Sequence, residues 1–208
     1  MTLALRYMRP SDIARVVEID QEAFTTPWSA RSYAYEIKES NYSHMAVLVD
    51  ERQQTVQGWK RILRNLSGNP DDTEIRQEIL AYGGLWRIME EAHISTIATA
   101  SPYRGKGYGE VLLAAMIKRS LTLGANYIVL EVRVSNVVAQ KLYQKYEFEI
   151  VDKKTNYYRD DGEDAYDMRL DLDDEALIER FYRRYAQVQA THPFTDDYTE
   201  VPPQPDML

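Results

Sequence analysis

A chain of 208 residues, 44% hydrophobic and 28% charged, is long enough to bury a core and has the composition of an ordinary globular protein. With no cysteine, disulfides, thiolate metal sites and a cysteine nucleophile are excluded together. The net charge of −8 is concentrated late, where residues 171–208 carry nine acids against three arginines. The rest is close to neutral, so no nucleic-acid partner is expected.

Leu3 to Arg9 alternates as a first strand, and Pro10-Ser11-Asp12 starts a helix that carries Ile13, Val16, Val17 and Phe24. Thr26-Pro27-Trp28-Ser29 leads into a second short helix, through about Glu39, and Ser43 to Asp50 reads as a strand. Residues 51–77 keep no period and form an insertion. Its Trp59, Lys60, Arg61 and Arg64 suit an acidic partner, although a solvated hairpin extension accounts for the stretch as well. Ile79–Ile88 and Ala92–Ala100 read as paired strands, followed by a glycine-rich turn and a helix over 107–123 that Gly124 ends. The run 126–132 is apolar on both faces, as in a central strand.

Asn136–Tyr146 reads as a helix, and Phe148–Lys154 and Asp164–Leu170 as the final strands. Asp173-Asp174-Glu175 opens a C-terminal helix with Leu177, Ile178, Phe181, Tyr185 and Val188 on its apolar face. The expected division is a main domain over 1–170, that helix over 171–190 and an extended acidic tail over 191–208. Antiparallel strands before the turn and a βαβ unit after it make the class α+β. The first ten residues are too short and charged for a signal peptide and no run of about 18 apolar residues exists, so no membrane partner and a cytoplasmic location are expected.

The turn Arg104-Gly105-Lys106-Gly107-Tyr108-Gly109 carries the chemistry. Strand, glycine turn and helix aim free N–H groups and a positive dipole end at an anion. The spacing fits neither a dinucleotide fingerprint, because Glu110 stands where the third glycine belongs, nor a Walker A loop. It fits R-x-x-G-x-G, which resembles the pyrophosphate motif of the GCN5-related N-acetyltransferases (GNAT). With Thr26–Ser29, the run Tyr127–Asn136 leading to Tyr143, and Asn156–Ala165, the chain resembles the ribosomal-protein alanine N-acetyltransferase (RimI-like) branch. That resemblance spans about Leu3 to Leu170, with residues 51–77 poorly matched.

The resemblance implies a mixed, mostly antiparallel central sheet flanked by helices, with acetyl-CoA as co-substrate and no metal. Ile97, Ala98 and Thr99 would offer backbone groups to pantetheine, Arg104 to Gly109 would hold the diphosphate, and Asn136 would bond a pantetheine amide. Glu131 would be the general base and Tyr143 the acid; Pro27, Trp28, Tyr157 and Tyr158 would flank a peptide. From the residues alone, Glu131 near the end of an apolar run would be desolvated and its pKa raised, or would be an edge glutamate paired with Arg133. Asn136 and Tyr143 read equally as a helix cap and a core tyrosine, the four loop residues equally as packing, and His44 and His93 as structural.

Three departures from the family pattern stand out: Thr99 in place of valine, Glu110 beside the turn, and Glu147 where glycine ends a helix. The expected activity is Nα-acetylation of a protein N-terminus, a ribosomal protein among the acceptors. The alternatives are a polyamine or antibiotic N-acetyltransferase and a non-catalytic acyl-CoA-binding module. The oligomeric state stays open.

Overall fold

Alternation along β1 (Thr2–Tyr7) sets the layering of the computed structural model, which describes residues 2–55 and 73–202. Leu3, Leu5 and Tyr7 enter one hydrophobic core, whereas Ala4 and the following Met8 enter a second on the opposite face. β2 (Ser43–Thr55) repeats this, with Ala46 and Leu48 on the first side and Met45 and Val47 on the second. Antiparallel pairing continues through β3 (Thr73–Ile88) to β4 (Glu91–Thr99). β5 (Tyr127–Arg133) then joins β4 in parallel, and β7 (Glu163–Asp171) and β6 (Glu149–Tyr158) complete that end. Among the described residues the sheet has eight strands in the order β6-β7-β5-β4-β3-β2-β1-β8, where β8 is Phe194–Asp197. It is the expected α+β architecture.

Helices α1 (Ile13–Ala23) and α2 (Ala30–Lys38) cover the second core. Helix α3 (Tyr108–Thr122) lies on the first core, with α4 (Val137–Lys145) after β5. The sequence period suggests one apolar face for α3, yet it is buried continuously from Val111 to Ile117. The reason is α5 (Glu175–Thr191), which adds Phe181, Tyr185 and Val188 to the same core. Each such burial is worth about 1.5–3 kcal/mol. Among the described residues no helix is long and apolar enough to cross a membrane.

The structure bears on three expectations. The hairpin-extension reading of the insertion holds where it begins, with β2 and β3 paired out to Thr55 and Thr73; Trp59, Lys60, Arg61 and Arg64 lie outside the described residues. The stretch 191–202 is not a loose tail, because β8 (Phe194–Asp197) pairs in parallel with β1 and Tyr198 is fully buried. Isolated polar residues hid this: Tyr198 finds its partner in the His44 carbonyl, far away in sequence. Third, the turn after α4 keeps its left-handed residue despite lacking glycine. Glu147 adopts φ 68, a conformation costing a non-glycine residue about 1–2 kcal/mol. Its carboxylate meets Arg180 and Arg184 of α5 at 2.7 and 2.6 Å, which offsets the strain.

Candidate active site

β4 and β5 pair only from Glu91–Tyr127 to His93–Val129, and from Ile94 onward they part. A register shift starts the divergence: Gly84 pairs with Thr96 and Leu85 with Ile94, leaving Ser95 as a bulge in β4. Gly84 gives the bulge room, since a Cβ there would crowd the Ser95 Oγ at 2.7 Å and the Met45 Sδ at 2.8 Å. Beyond the bulge Ile97, Ala98 and Thr99 pair with β3 on one side only, which leaves their other edge available for hydrogen bonds. The fork between the strands is the natural seat for an extended, amide-bearing chain.

At one mouth of the fork lies the glycine turn. Gly105 and Gly107 have φ 73 and 83, a region that favours glycine. Gly107 is the N-cap of α3, so the first amides of that helix face the end of β4. The arginine of the motif does not simply add charge. Arg104 donates to the Thr99 and Glu22 carbonyls at 3.1 and 3.3 Å, tying the turn to β4 and α1. Lys106 lies over the Tyr103 ring, and the Tyr108 side chain is buried.

At the fork itself the odd-numbered face of β5 presents Glu131. It pairs across the sheet with Asp167 of β7, a like-charge neighbour that would be destabilising alone. Lys154 of β6 bridges the two at 2.6 and 2.9 Å. His93 completes the group through Nε2, 2.8 Å from Glu131. The expectation of a raised Glu131 pKa fails for this reason. Burial, the largest single influence, does push upward, but hydrogen bonds from His93 and Lys154 hold the carboxyl down at about 2. Nor is Arg133 its partner, because that side chain binds Asp160, Asp161 and Glu163 instead.

Aromatic side chains wall this group. Trp28 stacks on Trp86, whose edge meets His93 with ring centroids 5.4 Å apart. The Trp28 amide is fixed by the buried Asp20 carboxylate, which also accepts from Tyr82; Pro27 beside it is exposed. Across the site Tyr157 and Tyr158 pack edge to face, and Arg133 lies 3.9 Å from the Tyr158 ring centre. Burial and the nearby Glu131 charge both raise the Tyr157 phenol.

Tyr143 is buried on α4, and burial, with Tyr158 adding to it, keeps its phenol well above the usual range. Asn136 is the α4 N-cap, its Oδ1 accepting from the Ala139 amide at 3.1 Å. Its side-chain amide nitrogen keeps both donors for a ligand.

His93 is the functional candidate that reading the sequence as structural histidines passed over. It lies 38 residues from Glu131, and only the parallel register of β4 and β5 brings them together. His44 does behave as a structural residue, half-buried with its ring against Tyr7. No cluster among the described residues could hold a metal ion.

Comparison with known proteins bears on what this arrangement is. Residues 13–148 match the model of the Acetyltransferase (GNAT) family. The chain belongs to the GNAT family. A protein of Bacillus subtilis (strain 168), provisionally named a ribosomal protein bS18-alanine N-acetyltransferase, is 34% identical over 162 residues, covering 78% of this chain and 91% of that one. An N-alpha-acetyltransferase of Saccharolobus solfataricus is 32% identical over 171 residues, covering 81% and 92%. In fold, the GNAT chain is similar to Arabidopsis thaliana NAA60 solved with acetyl-CoA, with a TM-score of 0.64 and 17% identity over 83% of this chain and all of that one. This GNAT protein is an N-acetyltransferase.

Proposed function

We propose that the enzyme transfers acetyl from acetyl-CoA to the N-terminal amine of a protein, by direct attack at the fork between β4 and β5. The observation that carries this reading is the His93–Glu131 pair, set where the strands part and walled by Trp28, Trp86, Tyr157 and Tyr158. The residues fit the coenzyme: the free edge of Ile97–Thr99 suits the amides of pantetheine, the turn 104–109 suits a diphosphate, and the Asn136 amide nitrogen is left to donate. Bound there, acetyl-CoA supplies the activated acyl group.

The residues then divide the proton traffic. An α-amine titrates at about 7.7–8.0, so much of it is already neutral near pH 8. A carboxylate held at about 2 is a weak base for the proton released on attack. Imidazole is suited to that task near neutrality, and an ionised carboxylate against it stabilises the charged ring. Glu131 therefore works through His93, which takes the amine proton. Tyr143 stays a neutral phenol throughout and serves as a hydrogen-bond donor to the departing sulfur, the proton reaching that thiolate from solvent.

A peptide acceptor suits the aromatic walls, which give contact area at low entropy cost. A polyamine is less suited, because Lys154 already meets both Glu131 and Asp167. The Bacillus subtilis relative is named for bS18, and a ribosomal-protein N-terminus is accordingly the acceptor we favour. The test is acetyl-CoA consumption with short peptides of different first residues, beside spermine and free lysine. Peptide α-amines should be acetylated and the α-acetyl product found by mass spectrometry. Turnover confined to spermine or lysine would refute the reading.

A further inference from the structure

Helix α5 lies beyond the family match, which ends at residue 148, yet its last turn reaches the glycine turn at the start of α3. His192, the C-cap of α5, places Nε2 2.6 Å from where a Cβ on Gly107 would stand. Its ring also meets Tyr108 edge-on, with centroids 5.6 Å apart. Neither ring nitrogen of His192 has a hydrogen-bond partner among the described residues. A half-buried imidazole without a partner, held against the glycine that opens the anion-binding turn, is an unused donor at a charged ligand's edge.

The surroundings form a cleft rather than a bare helix end. About 270 Å³ opens between α3, α4 and α5, lined by Gly107, Glu110, Lys145, Arg184, Gln187 and His192 among others. Glu110 would oppose an anion, but Lys145 meets it at 2.6 Å and the Tyr146 hydroxyl at 3.0 Å, so its charge is already answered. Arg184 binds Glu147 through Nη1 alone, which leaves its other guanidinium nitrogens to donate. The same ion pair fixes α5 to the turn after α4, so the cleft is built from three mutually braced elements.

We propose that the end of α5 is part of the coenzyme site, with His192 and Arg184 hydrogen-bonding the phosphates of acetyl-CoA held at residues 104–109. This rests on the acetyltransferase reading and adds to it a binding wall supplied by the chain's own C-terminal helix. Binding energy here is spent on the coenzyme's nucleotide end, remote from the thioester. The contribution therefore appears in coenzyme affinity and KM rather than in kcat.

The experiment is calorimetry of the full chain with acetyl-CoA, together with steady-state kinetics on an accepted peptide. His192→Ala should weaken acetyl-CoA binding by about 10–150-fold, the range for loss of one hydrogen bond to a charged group, with kcat unchanged at saturating coenzyme. His192→Gln, which keeps a donor, should recover most of the affinity; a merely structural role would not separate the two. Gln187 is exposed, so Gln187→Glu leaves the fold intact while placing a negative charge in the cleft, and should also weaken binding, more so at low salt. Repeating the titrations with 3′-dephospho-CoA assigns the contact. An effect of His192→Ala that persists places it on the diphosphate, and one that vanishes places it on the 3′-phosphate; both support the proposal. Wild-type affinity in both His192→Ala and Gln187→Glu, or tighter binding by His192→Ala, overturns it while acetyl transfer stands. A wild-type protein that binds no acetyl-CoA ends the acetyltransferase reading as well.

Discussion

Replacing Lys154 by methionine keeps the aliphatic stem and removes the cation that bridges Glu131 and Asp167. Glu131 sits at about 2 against an ordinary 4.5, burial having been overcome by His93 and Lys154. At about 1.4 kcal/mol per pH unit this favours the folded state by about 3 kcal/mol at pH 7. If His93 and Lys154 share it equally, about 1.5 kcal/mol belongs to Lys154. Asp167 loses its partner too, which brings the expected cost to about 2 kcal/mol. For a chain of this size that lowers Tm by about 4–8 °C. Because the folded pKa is depressed, the Glu131 contribution is complete above about 4.5 and fades as pH falls toward 2, so at pH 3 less than half remains. Thermal or urea unfolding of both proteins at pH 7 and pH 3 measures this directly. A Tm difference under about 1 °C at pH 7, or an equal difference at both pH values, would refute the electrostatic account.

Two further outcomes are expected. Glu131→Gln and Tyr143→Phe should each lower kcat by about 10²–10⁴-fold with acetyl-CoA affinity retained; combining Glu131→Gln with His93→Ala should slow the enzyme no further than the slower single variant, since the pair acts as a unit. His44 is held at about 4 rather than 6.5 by burial, with the Arg119 charge adding, so stability present above 6.5 should decline by about 3 kcal/mol as pH falls to 4, and His44→Gln should flatten that limb in unfolding experiments.

Local signals carried most of the fold. Strands β1 to β5 and the glycine turn follow from alternation, β-branched runs and glycines whose positive φ the structure requires at 105, 107 and 124. Candidate site residues could be named from the sequence, but their environment could not. Glu131 stands where the sequence suggests, but its partners come from β4, β6 and β7, and no local pattern announces Lys154 or Asp167. That is why desolvation alone gave the wrong direction for its pKa. Arg104 illustrates the same limit: a cation beside a phosphate turn invites a charge role, whereas its geometry makes it a brace between β4 and α1. Strand β8 escaped because four residues following a proline carry no usable period, and its register is set entirely by β1.

Pairing Leu3 with Phe194 has a consequence for how the chain reaches this state. The outer rim of β1 stays uncovered until nearly the whole described chain has emerged, and an unsatisfied rim is a template for sticking to other chains. Ordering of the sheet can spread from the β2–β3 hairpin outward, but its final closure waits on a contact of very long range, the slow kind. Shortening the protein ahead of residue 194 would consequently make it prone to clump during synthesis, even with every catalytic group in place.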